Sequence, residues 1–452
     1  MSRRRAFGQS LPHLAGRAPG SASAALARRL GAVESRNVTY RDDGWPVFWE
    51  AARGANVRDV DGNVFLDLTG AFGVALLGHG HPGVVEAVAA QAPRLVHGMG
   101  DVHPPAIKVD FLEALATRLP WPESRAVMAS TGAEAVEIAL KTARLATGRP
   151  GVLAFEGGYH GLTLGALAVT SRPHFRAAFE ERLYQGVAFA PFPDPLRDGA
   201  DAGSLALERV ADMMRSGAPG GGTIGAILVE PVQGRAGARV APHGFMAALS
   251  DLADEWGAVV VADEILTGAG RCGSFLASER VGLRPGVVAL GKALGGGVPL
   301  SVCVGNAAVM DAWPESDGEA VHTSTFLGHP LSCAAGRAVL EAIEIEGVVE
   351  RARRLGGALT ADLRARLMPL SGVADVRGLG LLIGIEFAGG DGLAPASGRA
   401  VRVARAALEE GVLVLPSGAE GHVLELLPPV DMSDAQLAYA VDALARSVER
   451  TP

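Results

Sequence analysis

The sequence predicts an α/β fold with a second, smaller α+β unit, and two patterns carry that prediction. Between about 84 and 345, short apolar runs alternate with stretches of helical spacing, as in a buried parallel sheet flanked by helices. Beyond about 346, two helical stretches alternate with two strand-like runs. A chain of 452 residues has room for two to three domains. We therefore predict an N-terminal arm and hairpin over 1–70, a large α/β domain over 71–335 and a small α+β domain over 336–452.

The N-terminal elements are predicted to be one helix and one hairpin. Residues up to about 40 are rich in Arg and Ala and include a helix over Ala22–Leu30. Apolar and polar residues alternate over Ala55–Leu68 on both sides of Asp61 and Gly62, a dipeptide typical of a tight turn between strands. We expect a β-hairpin there.

The other helices and strands follow from the spacing of apolar residues. In the large domain, helices are predicted over Pro105–Leu119 and Ala133–Thr147. Its buried strands are predicted at Gly151–Phe155, Ala166–Thr170, Ile224–Val229, Ala258–Ala262 and Val287–Leu290. The small domain is predicted to contain helices over about 346–368 and 398–410 and strands over about 381–387 and 423–427.

Charge and cysteine usage exclude several classes of function. The 41 basic and 49 acidic residues give a formal charge of −8 without a block of like charge, so no nucleic-acid or membrane partner is expected. Cys272, Cys303 and Cys333 form no C-x-x-C pair, so neither a disulfide framework nor a metal site is predicted. The basic N-terminus lacks an apolar signal segment, and no stretch of 18 uncharged apolar residues occurs. We expect a cytoplasmic protein.

Lysine is scarce, and this scarcity limits the candidates for an amine nucleophile. Only Lys108, Lys141 and Lys292 occur among the 41 basic residues. Lys108 follows two prolines at a helix start, and Lys141 belongs to a helix with Arg144 nearby. Lys292 instead follows an apolar strand and precedes a glycine cluster that leaves space for a ligand. A desolvated amine is suited to forming a Schiff base, so Lys292 is the best candidate.

A second candidate is the start of a long helix at Ser130, in S-T-G-A-E-A. Free amides at a helix start, together with the helix dipole, bind anions. Alternatively, Ser130 and Thr131 cap the helix and Glu134 completes a capping box. The motif alone leaves both interpretations open.

A third candidate is the acidic pair Asp263 and Glu264 at the carboxyl end of a predicted strand. Ligands bind at that end of parallel sheets, and a carboxylate there needs a cationic partner. The alternative is an Asp that caps the next turn.

The three candidates together match the needs of pyridoxal phosphate, which are an anion site, a strand-end Asp and a Schiff-base lysine. Tyr159, between glycines in G-G-Y-H-G, is a candidate for the aromatic ring beside that cofactor.

With these motifs the chain resembles the class III, or ω-amino acid, family of aminotransferases of fold type I, over about 35–440. Glu230–Gly234 reads E-P-V-Q-G, Asp263–Arg271 reads D-E-I-L-T-G-A-G-R, and Lys292–Gly297 reads K-A-L-G-G-G. The resemblance implies a mainly parallel seven-stranded sheet flanked by helices, and a small domain built from the C-terminal and N-terminal segments. It also implies pyridoxal 5′-phosphate as the cofactor.

The resemblance assigns roles to residues of this chain. Lys292 would hold the cofactor as a Schiff base, Asp263 would pair with its ring nitrogen, and Tyr159 and Ile265 would contact the two ring faces. Thr325, in S-T-F-L-G-H-P, would reach the phosphate bound by the neighbouring subunit of a homodimer. The residues implied at the cofactor are Ser130, Thr131, Gly132, Ala133, Tyr159, His160, Glu230, Asp263, Ile265, Lys292 and Thr325.

The chain departs from the family pattern where substrate carboxylates are often bound. Many members that use 2-oxoglutarate have Arg after His-Gly, where this chain has Leu162. Arg235 stands where many have Glu, and Glu425 stands where the usual C-terminal Arg precedes x-x-Pro-Pro. A Glu cannot replace an Arg that binds a carboxylate, so if Glu425 faces the site as its counterpart does, a substrate with a second amine or hydroxyls is favoured over a simple amino diacid. Alternatively, Arg235 and Glu425 form a structural ion pair. Phe72, Arg235 and Glu425 are the predicted substrate-side residues.

The sequence therefore predicts an aminotransferase that moves an amino group from an amine or ω-amino compound to a 2-oxo acid by a ping-pong mechanism. A racemase, epimerase or aminomutase on the same scaffold would need the same Lys292. A binding or regulatory protein with this fold is the third alternative, and the complete set of cofactor residues disfavours it. The sequence leaves open the natural donor and acceptor and whether dimers pair into tetramers.

Overall fold

A computed structural model describes residues 7–42, 44–389 and 393–452. The chain divides into two units. The larger unit comprises Pro82–Gly356 and Arg377–Leu382, and the smaller unit joins the N-terminal segment through His81 to Gly357–Val376 and Ile383–Pro452. The N-terminal and C-terminal segments thus share one unit. The domain boundaries given above stay a prediction.

Strands and helices are numbered along the chain. The strands are β1 (Trp49–Arg53), β2 (Asn56–Asp59), β3 (Val64–Asp67), β4 (Ser124–Ala129), β5 (Gly151–Phe155), β6 (Val187–Ala190), β7 (Ile224–Val229), β8 (Val232–Gln233), β9 (Arg239–Val240), β10 (Val259–Glu264), β11 (Val287–Leu290), β12 (Ser301–Asn306), β13 (Val373–Leu379), β14 (Leu382–Phe387), β15 (Val412–Leu413), β16 (Leu415–Ser417) and β17 (Val423–Leu426). The helices are α1 (Ser21–Val33), α2 (Gly70–Gly73), α3 (Pro82–Gln91), α4 (Ala106–Ala116), α5 (Gly132–Thr147), α6 (Leu164–Val169), α7 (Pro173–Arg176), α8 (Pro195–Asp198), α9 (Ala202–Ser216), α10 (Phe245–Trp256), α11 (Ala277–Val281), α12 (Ala307–Met310), α13 (Pro330–Ile345), α14 (Val348–Leu367), α15 (Arg399–Glu409) and α16 (Asp434–Glu449). Short 3-10 turns cover Ala177–Arg182, Gly199–Asp201 and Lys292–Gly295.

The larger unit is built on a seven-stranded sheet with the order β4-β12-β11-β10-β7-β5-β6. Strands β6, β5, β7, β10 and β11 are mutually parallel, and β12 runs antiparallel to both of its neighbours. The expected mainly parallel seven-stranded sheet is confirmed. Its core includes Ala135 and Ile138 of α5 against Leu228 of β7 and Val261 of β10, all fully buried. Burial on both faces explains why these strands are continuous apolar runs in the sequence.

One predicted strand of the large domain is wrong. The segment Ala166–Thr170 belongs to helix α6 and its C-cap, and not to the sheet. Ala166, Leu167, Ala168 and Val169 are all buried, so this short segment has no polar face that would reveal helical spacing. Periodicity alone does not separate a short buried helix from a buried strand. Strands β6 and β12 were not predicted.

The smaller unit contains the predicted hairpin and helix. Strands β2 and β3 pair antiparallel around Gly62, whose φ is 86°. Helix α1 confirms the helix predicted over Ala22–Leu30. The start of the predicted arm, 1–6, lies outside the described residues. This unit also contains the four-stranded sheet β1-β2-β3-β15, most of the four-stranded sheet β13-β14-β17-β16, and helices α15 and α16. Among the helices that the structure describes, none has the length and apolar character needed to cross a bilayer.

Candidate active site

Four predicted site residues lie at the carboxyl ends of neighbouring parallel strands. Tyr159 follows β5, Glu230 follows β7, Asp263 lies near the end of β10, and Lys292 follows β11. These strands are adjacent and parallel in the order β5-β7-β10-β11. Their carboxyl ends therefore meet at one edge of the sheet, which is where ligands bind in open α/β folds.

Asp263 is paired with a histidine from another loop. The Nδ1 of His160 lies 2.7 Å from Oδ2 of Asp263, and both side chains are buried. The His160 amide donates to Oγ1 of Thr170 at 2.9 Å, which fixes the loop. Burial alone would lower the pKa of His160, but the hydrogen bond and charge of Asp263 outweigh burial and raise that pKa. The buried carboxylate of Asp263 thus has a hydrogen-bonding partner, as a buried polar group requires.

The neighbouring carboxylate, Glu264, holds a loop in place and does not pair with His160. Successive residues of a strand point to opposite faces. Glu264 is fully buried, where it accepts hydrogen bonds from Thr267 Oγ1, from the Ala277 amide, and from both the amide and the hydroxyl of Ser278, at 2.7–2.9 Å. It anchors the loop between β10 and α11. Of the acidic pair, Asp263 is therefore the residue that faces His160.

Glu230 joins two loops at the same edge. Its Oε1 accepts a hydrogen bond from the Tyr159 amide at 3.1 Å, and its Oε2 accepts one from the Gly234 amide at 3.0 Å. Burial raises the pKa of Glu230 to about 7, with the charge of His160 acting in the opposite direction. One buried carboxyl group thus fixes the loop of Tyr159 relative to the loop that follows β8.

The raised pKa of Glu230 predicts a pH dependence of stability. Between the unfolded pKa of about 4.5 and the folded pKa of about 7, the folded state binds more protons than the unfolded state. The stabilisation is complete below pH 4.5 and is lost as the pH rises through 7, by an amount on the order of 3 kcal/mol. Glu230→Gln cannot ionise, so the stability of the wild type minus that of Glu230→Gln should fall between pH 5 and 8. Denaturant unfolding at four pH values measures this difference, and a constant difference would contradict the prediction.

The start of helix α5 forms a capping box and still leaves amides that can bind an anion, so the two interpretations of the S-T-G-A-E-A motif are compatible. Thr131 Oγ1 accepts from the Glu134 amide, and Glu134 Oε2 accepts from the amides of Ser130 and Thr131, so the capping box forms. The amides of Gly132 and Ala133 belong to the first turn, where no helical carbonyl can accept from them. Capping therefore leaves two amides and the positive end of the helix dipole to bind an anion.

Close contacts bring the start of α5 to the other motifs. A methyl group on Gly132 would lie 3.0 Å from Cγ2 of Ile265, and one on Gly291 would lie 3.1 Å from Cδ1 of Ile265. A methyl group on Gly161 would lie 2.6 Å from Cβ of Ala133. The glycines therefore allow the helix start, the loop after β10, the residue before Lys292 and the loop of His160 to approach closely.

Lys292 differs from the other lysines in its backbone as well as its position. It opens the 3-10 turn Lys292–Gly295 with a φ of 43°, a left-handed conformation that is uncommon for a residue with a side chain. Such conformations cluster at functional sites. Lys108 donates to the Gly100 carbonyl at 2.7 Å, and the Lys141 Nζ lies 3.3 Å from His322 Nδ1 on the surface. Both contacts lie away from the sheet edge.

The aromatic ring of Tyr159 is half-buried at this edge. It makes an edge contact with Phe175, with 5.6 Å between the ring centroids. Thr325 lies on an exposed segment before α13. Within the described part of the chain, no hydrogen bond or ion pair joins Thr325 to the residues above.

The three predicted substrate-side residues lie in different units. Arg235 belongs to the larger unit, directly after Gly234. In the smaller unit, Glu425 of β17 is buried and accepts a hydrogen bond from Ser417 Oγ at 3.2 Å. Phe72 is 61% exposed in a left-handed turn, with a φ of 59° after 49° at Ala71. The Asp67 carboxylate accepts from the Ala71 amide at 3.2 Å and stabilises this turn.

Sequence reasoning missed three residues that shape the site. Thr170 was assigned to a strand, yet its hydroxyl holds the His160 amide. Phe175 supports Tyr159, and Arg172 donates to the carbonyl of Arg235 at 3.1 Å. The sequence S-R-P-H-F carried no spacing signal that pointed to these contacts, because each contact joins this segment or Thr170 to another loop, 10 to 63 residues away in the chain.

Comparison with known proteins identifies the class of enzyme. The profile of class-III aminotransferases matches residues 38–448, so the chain belongs to the class-III aminotransferase family. It is a pyridoxal-phosphate-dependent aminotransferase, whose substrates are small amines and oxo acids.

Individual relatives agree with this family. The chain is 37% identical to the 5-aminovalerate aminotransferase of Pseudomonas aeruginosa, over 88% of this chain and 93% of that protein. It is 35% identical to the 4-aminobutyrate aminotransferase of Escherichia coli, over 89% of this chain and 93% of that protein. The crystal structure of an amine transaminase from an uncultivated Pseudomonas species, in a PLP-bound form, matches with a TM-score of 0.85 and 27% identity, covering 93% of this chain and 99% of that one. None of these relatives supports the racemase, epimerase or aminomutase alternative.

The residues at the sheet edge fit pyridoxal phosphate. Its three anchoring needs are an anion site, a carboxylate for the ring nitrogen and an amine for the aldehyde. The start of α5, the buried Asp263 with its His160 partner, and Lys292 supply these three groups within one unit.

Proposed function

We propose that this aminotransferase transfers the amino group of an amine or ω-amino compound to a 2-oxo acid in two half-reactions, through the residues named above. The observation that carries the proposal is the meeting of Lys292, the Asp263–His160 pair and the start of α5 at one sheet edge. The relatives named for 5-aminovalerate and 4-aminobutyrate support a donor whose reacting amine is terminal.

In the proposed mechanism, Lys292 supplies the amine that holds the cofactor and later moves the proton at the reacting carbon of the substrate. Bound pyridoxal phosphate supplies an aldehyde and an electron-accepting ring. Asp263 would hold a proton on the ring nitrogen, and His160 orients the Asp263 carboxylate through the 2.7 Å hydrogen bond. Tyr159 and Ile265 would contact the two faces of that ring.

The phosphate would be bound at the start of α5. The amides of Gly132 and Ala133 donate there, beside Ser130 and Thr131, with the helix dipole adding to the attraction. Glu230 contributes by fixing the loop of Tyr159. These assignments use side chains and amides of the larger unit alone.

A screen of half-reactions tests the proposed function. Amines and ω-amino acids are mixed one at a time with the pyridoxal-phosphate form, without an oxo acid, and the cofactor absorbance is followed. The expected result is conversion of the cofactor to its amine form together with an equal amount of carbonyl product. Racemisation of a single chiral amino acid without that conversion would overturn the proposal.

We further propose a homodimer in which Thr325 completes the neighbouring phosphate site. The segment around Thr325 packs against 95–103, where Thr323 donates to Asp101 at 2.5 Å and the ring centroids of His97 and Phe326 lie 5.3 Å apart. Large apolar side chains on these segments are exposed in the single chain, namely Val96, Met99, Val102, Val321 and Phe326. Exposed apolar patches of this kind mark protein interfaces.

Sedimentation of the purified enzyme tests the homodimer. A particle of twice the 46.4 kDa chain mass is expected, and a particle of the single chain mass would contradict the homodimer.

We also propose a cytoplasmic location, because Cys272, Cys303 and Cys333 are buried free thiols, as is usual in a reducing compartment. Cell fractionation tests this location.

A further inference from the structure

The hydroxyl of Thr170 holds the main chain on both sides of the His160 side chain. Oγ1 of Thr170 accepts a hydrogen bond from the His160 amide at 2.9 Å. The same oxygen lies 3.1 Å from the Gly161 carbonyl and 3.0 Å from the Ala166 carbonyl, and it shares its one proton between these two acceptors. Thr170 is fully buried, so losing its hydroxyl would leave a buried amide and a buried carbonyl without this partner.

The residue after Thr170 holds the earlier part of the same loop. The Gly157 amide donates to Oγ of Ser171 at 2.7 Å, and the Ser171 amide donates to the Gly158 carbonyl at 3.0 Å. Together with the contacts of Thr170, these hydrogen bonds fix the loop over 157–161 against the short segment 170–171. The conformation of the His160 loop therefore depends on that segment.

Arg176 fixes the end of helix α6, where Thr170 is the C-cap residue. Its Nη1 donates to the carbonyls of Leu167, Ala168 and Thr170 at 2.7–3.1 Å. The last carbonyls of a helix have no donor within the helix, so a cation that binds three of them at once stabilises the helix end. The main chain of Thr170 is thus held in place before its hydroxyl contacts the His160 loop.

The main chain that Thr170 holds lies between two parts of the candidate cofactor site. On one side, Nδ1 of His160 lies 2.7 Å from Oδ2 of Asp263. On the other side, a methyl group on Gly161 would lie 2.6 Å from Cβ of Ala133 at the start of α5. A movement of this short stretch would therefore change the contact with Asp263 and the packing against the helix start together.

We propose that Thr170 is a positioning residue, whose hydroxyl holds His160 so that the imidazole keeps the Asp263 carboxylate in place for the ring nitrogen of pyridoxal phosphate. The proposal rests on the proposed function and deepens it, because it names a residue that acts through His160 and Asp263. Placement of such groups matters for the rate, since a misplacement of 1 Å can cost about 10²-fold.

Thr142→Val is the matched control for Thr170→Val. Thr142 is also fully buried, and its hydroxyl accepts from Nε1 of Trp313 at 2.8 Å and donates to the Ile138 carbonyl at 2.9 Å. Each change removes one buried hydroxyl from the larger unit at nearly constant volume, but only Thr170 contacts the His160 loop. Thr170→Ala removes the same hydroxyl without adding a methyl group, and it is measured alongside in case Thr170→Val is unstable.

NMR titration of His160 in the full-length enzyme loaded with pyridoxal phosphate is the first readout, with His160→Gln used to assign the signal. Thr170→Val and Thr170→Ala should lower the pKa of His160, because a weaker contact with Asp263 opposes the effect of burial less. Their kcat should fall by about 10-fold, as expected for a displacement smaller than 1 Å. Thr142→Val should keep the titration and the kcat of the wild type.

Thr170→Ser separates the hydroxyl from the packing of this side chain. It keeps the hydroxyl and loses the methyl group, so it should restore the wild-type titration of His160 and most of kcat. An unchanged pKa of His160 in both Thr170→Val and Thr170→Ala, an equal fall in Thr142→Val, or failure of Thr170→Ser to restore the titration would overturn the proposal. The titration needs no amine substrate, so it decides the role of Thr170, whereas the half-reaction screen of the wild type decides the proposed function.

Discussion

Lys292→Ala is expected to abolish amine turnover, with a fall in kcat of more than about 10³-fold, since it removes the base and acid of the proton transfer. The same change should remove the visible absorption band of the bound cofactor, because no other lysine lies at this sheet edge. Lys108 is held by the Gly100 carbonyl, and Lys141 lies on the surface beside His322. Steady-state rates and absorption spectra of the reconstituted enzymes measure the two effects.

Lys141→Ala is the matched control, because it removes one of the three lysines from an exposed face of α5. Its turnover and spectrum should equal those of the wild type. A Lys292→Ala enzyme that keeps turnover and absorption of the wild-type order would show that Lys292 does not hold the cofactor. Loss of turnover with an unchanged spectrum would assign the amine another role and contradict the mechanism in part.

Three predicted strands of the large domain are confirmed at their predicted bounds, and each is buried along its whole length. Gly151–Phe155, Ile224–Val229 and Val287–Leu290 occur as predicted, because each is a short apolar run bounded by turn residues. The same criterion failed for Ala166–Thr170, where the last four residues of a six-residue helix are all buried. The spacing of apolar residues indicates that a segment is buried. Whether the segment forms a strand or a helix depends on the elements that pack around it.

The individual residues of the candidate site could be predicted from the sequence, but the contacts between them could not. The position of Lys292 after a strand and the helix start at Ser130 are both local features. The partner of Asp263 lies 103 residues away in His160, and Glu230 joins the loops of Tyr159 and Gly234. Such pairings depend on the order of strands in the sheet, which sequence spacing does not encode. The same limit hid Arg172 beside Arg235.

Asp263→Asn is expected to give the second largest loss of activity. Asn has nearly the same volume as Asp, so packing at the end of β10 is kept while the negative charge is removed. The hydrogen bond from His160 to Asp263 and the charge of that carboxylate raise the pKa of His160 against the effect of burial, so the pKa of His160 should fall in the variant. The ring nitrogen of the cofactor then loses the charge that keeps it protonated. Loss of one such electrostatic contact costs about 10²–10³-fold in kcat.

A double variant shows whether His160 acts through Asp263. His160→Gln alone should lower kcat less than Asp263→Asn does, because the Asp263 carboxylate remains. In the presence of Asp263→Asn, the change at His160 should add little, since the carboxylate that it orients is gone. NMR titration of His160 supplies a readout independent of rate, with a lower pKa expected in Asp263→Asn than in the wild type. Additive losses in kcat, or an unchanged titration of His160, would mean that the 2.7 Å contact between these side chains does not couple their charges.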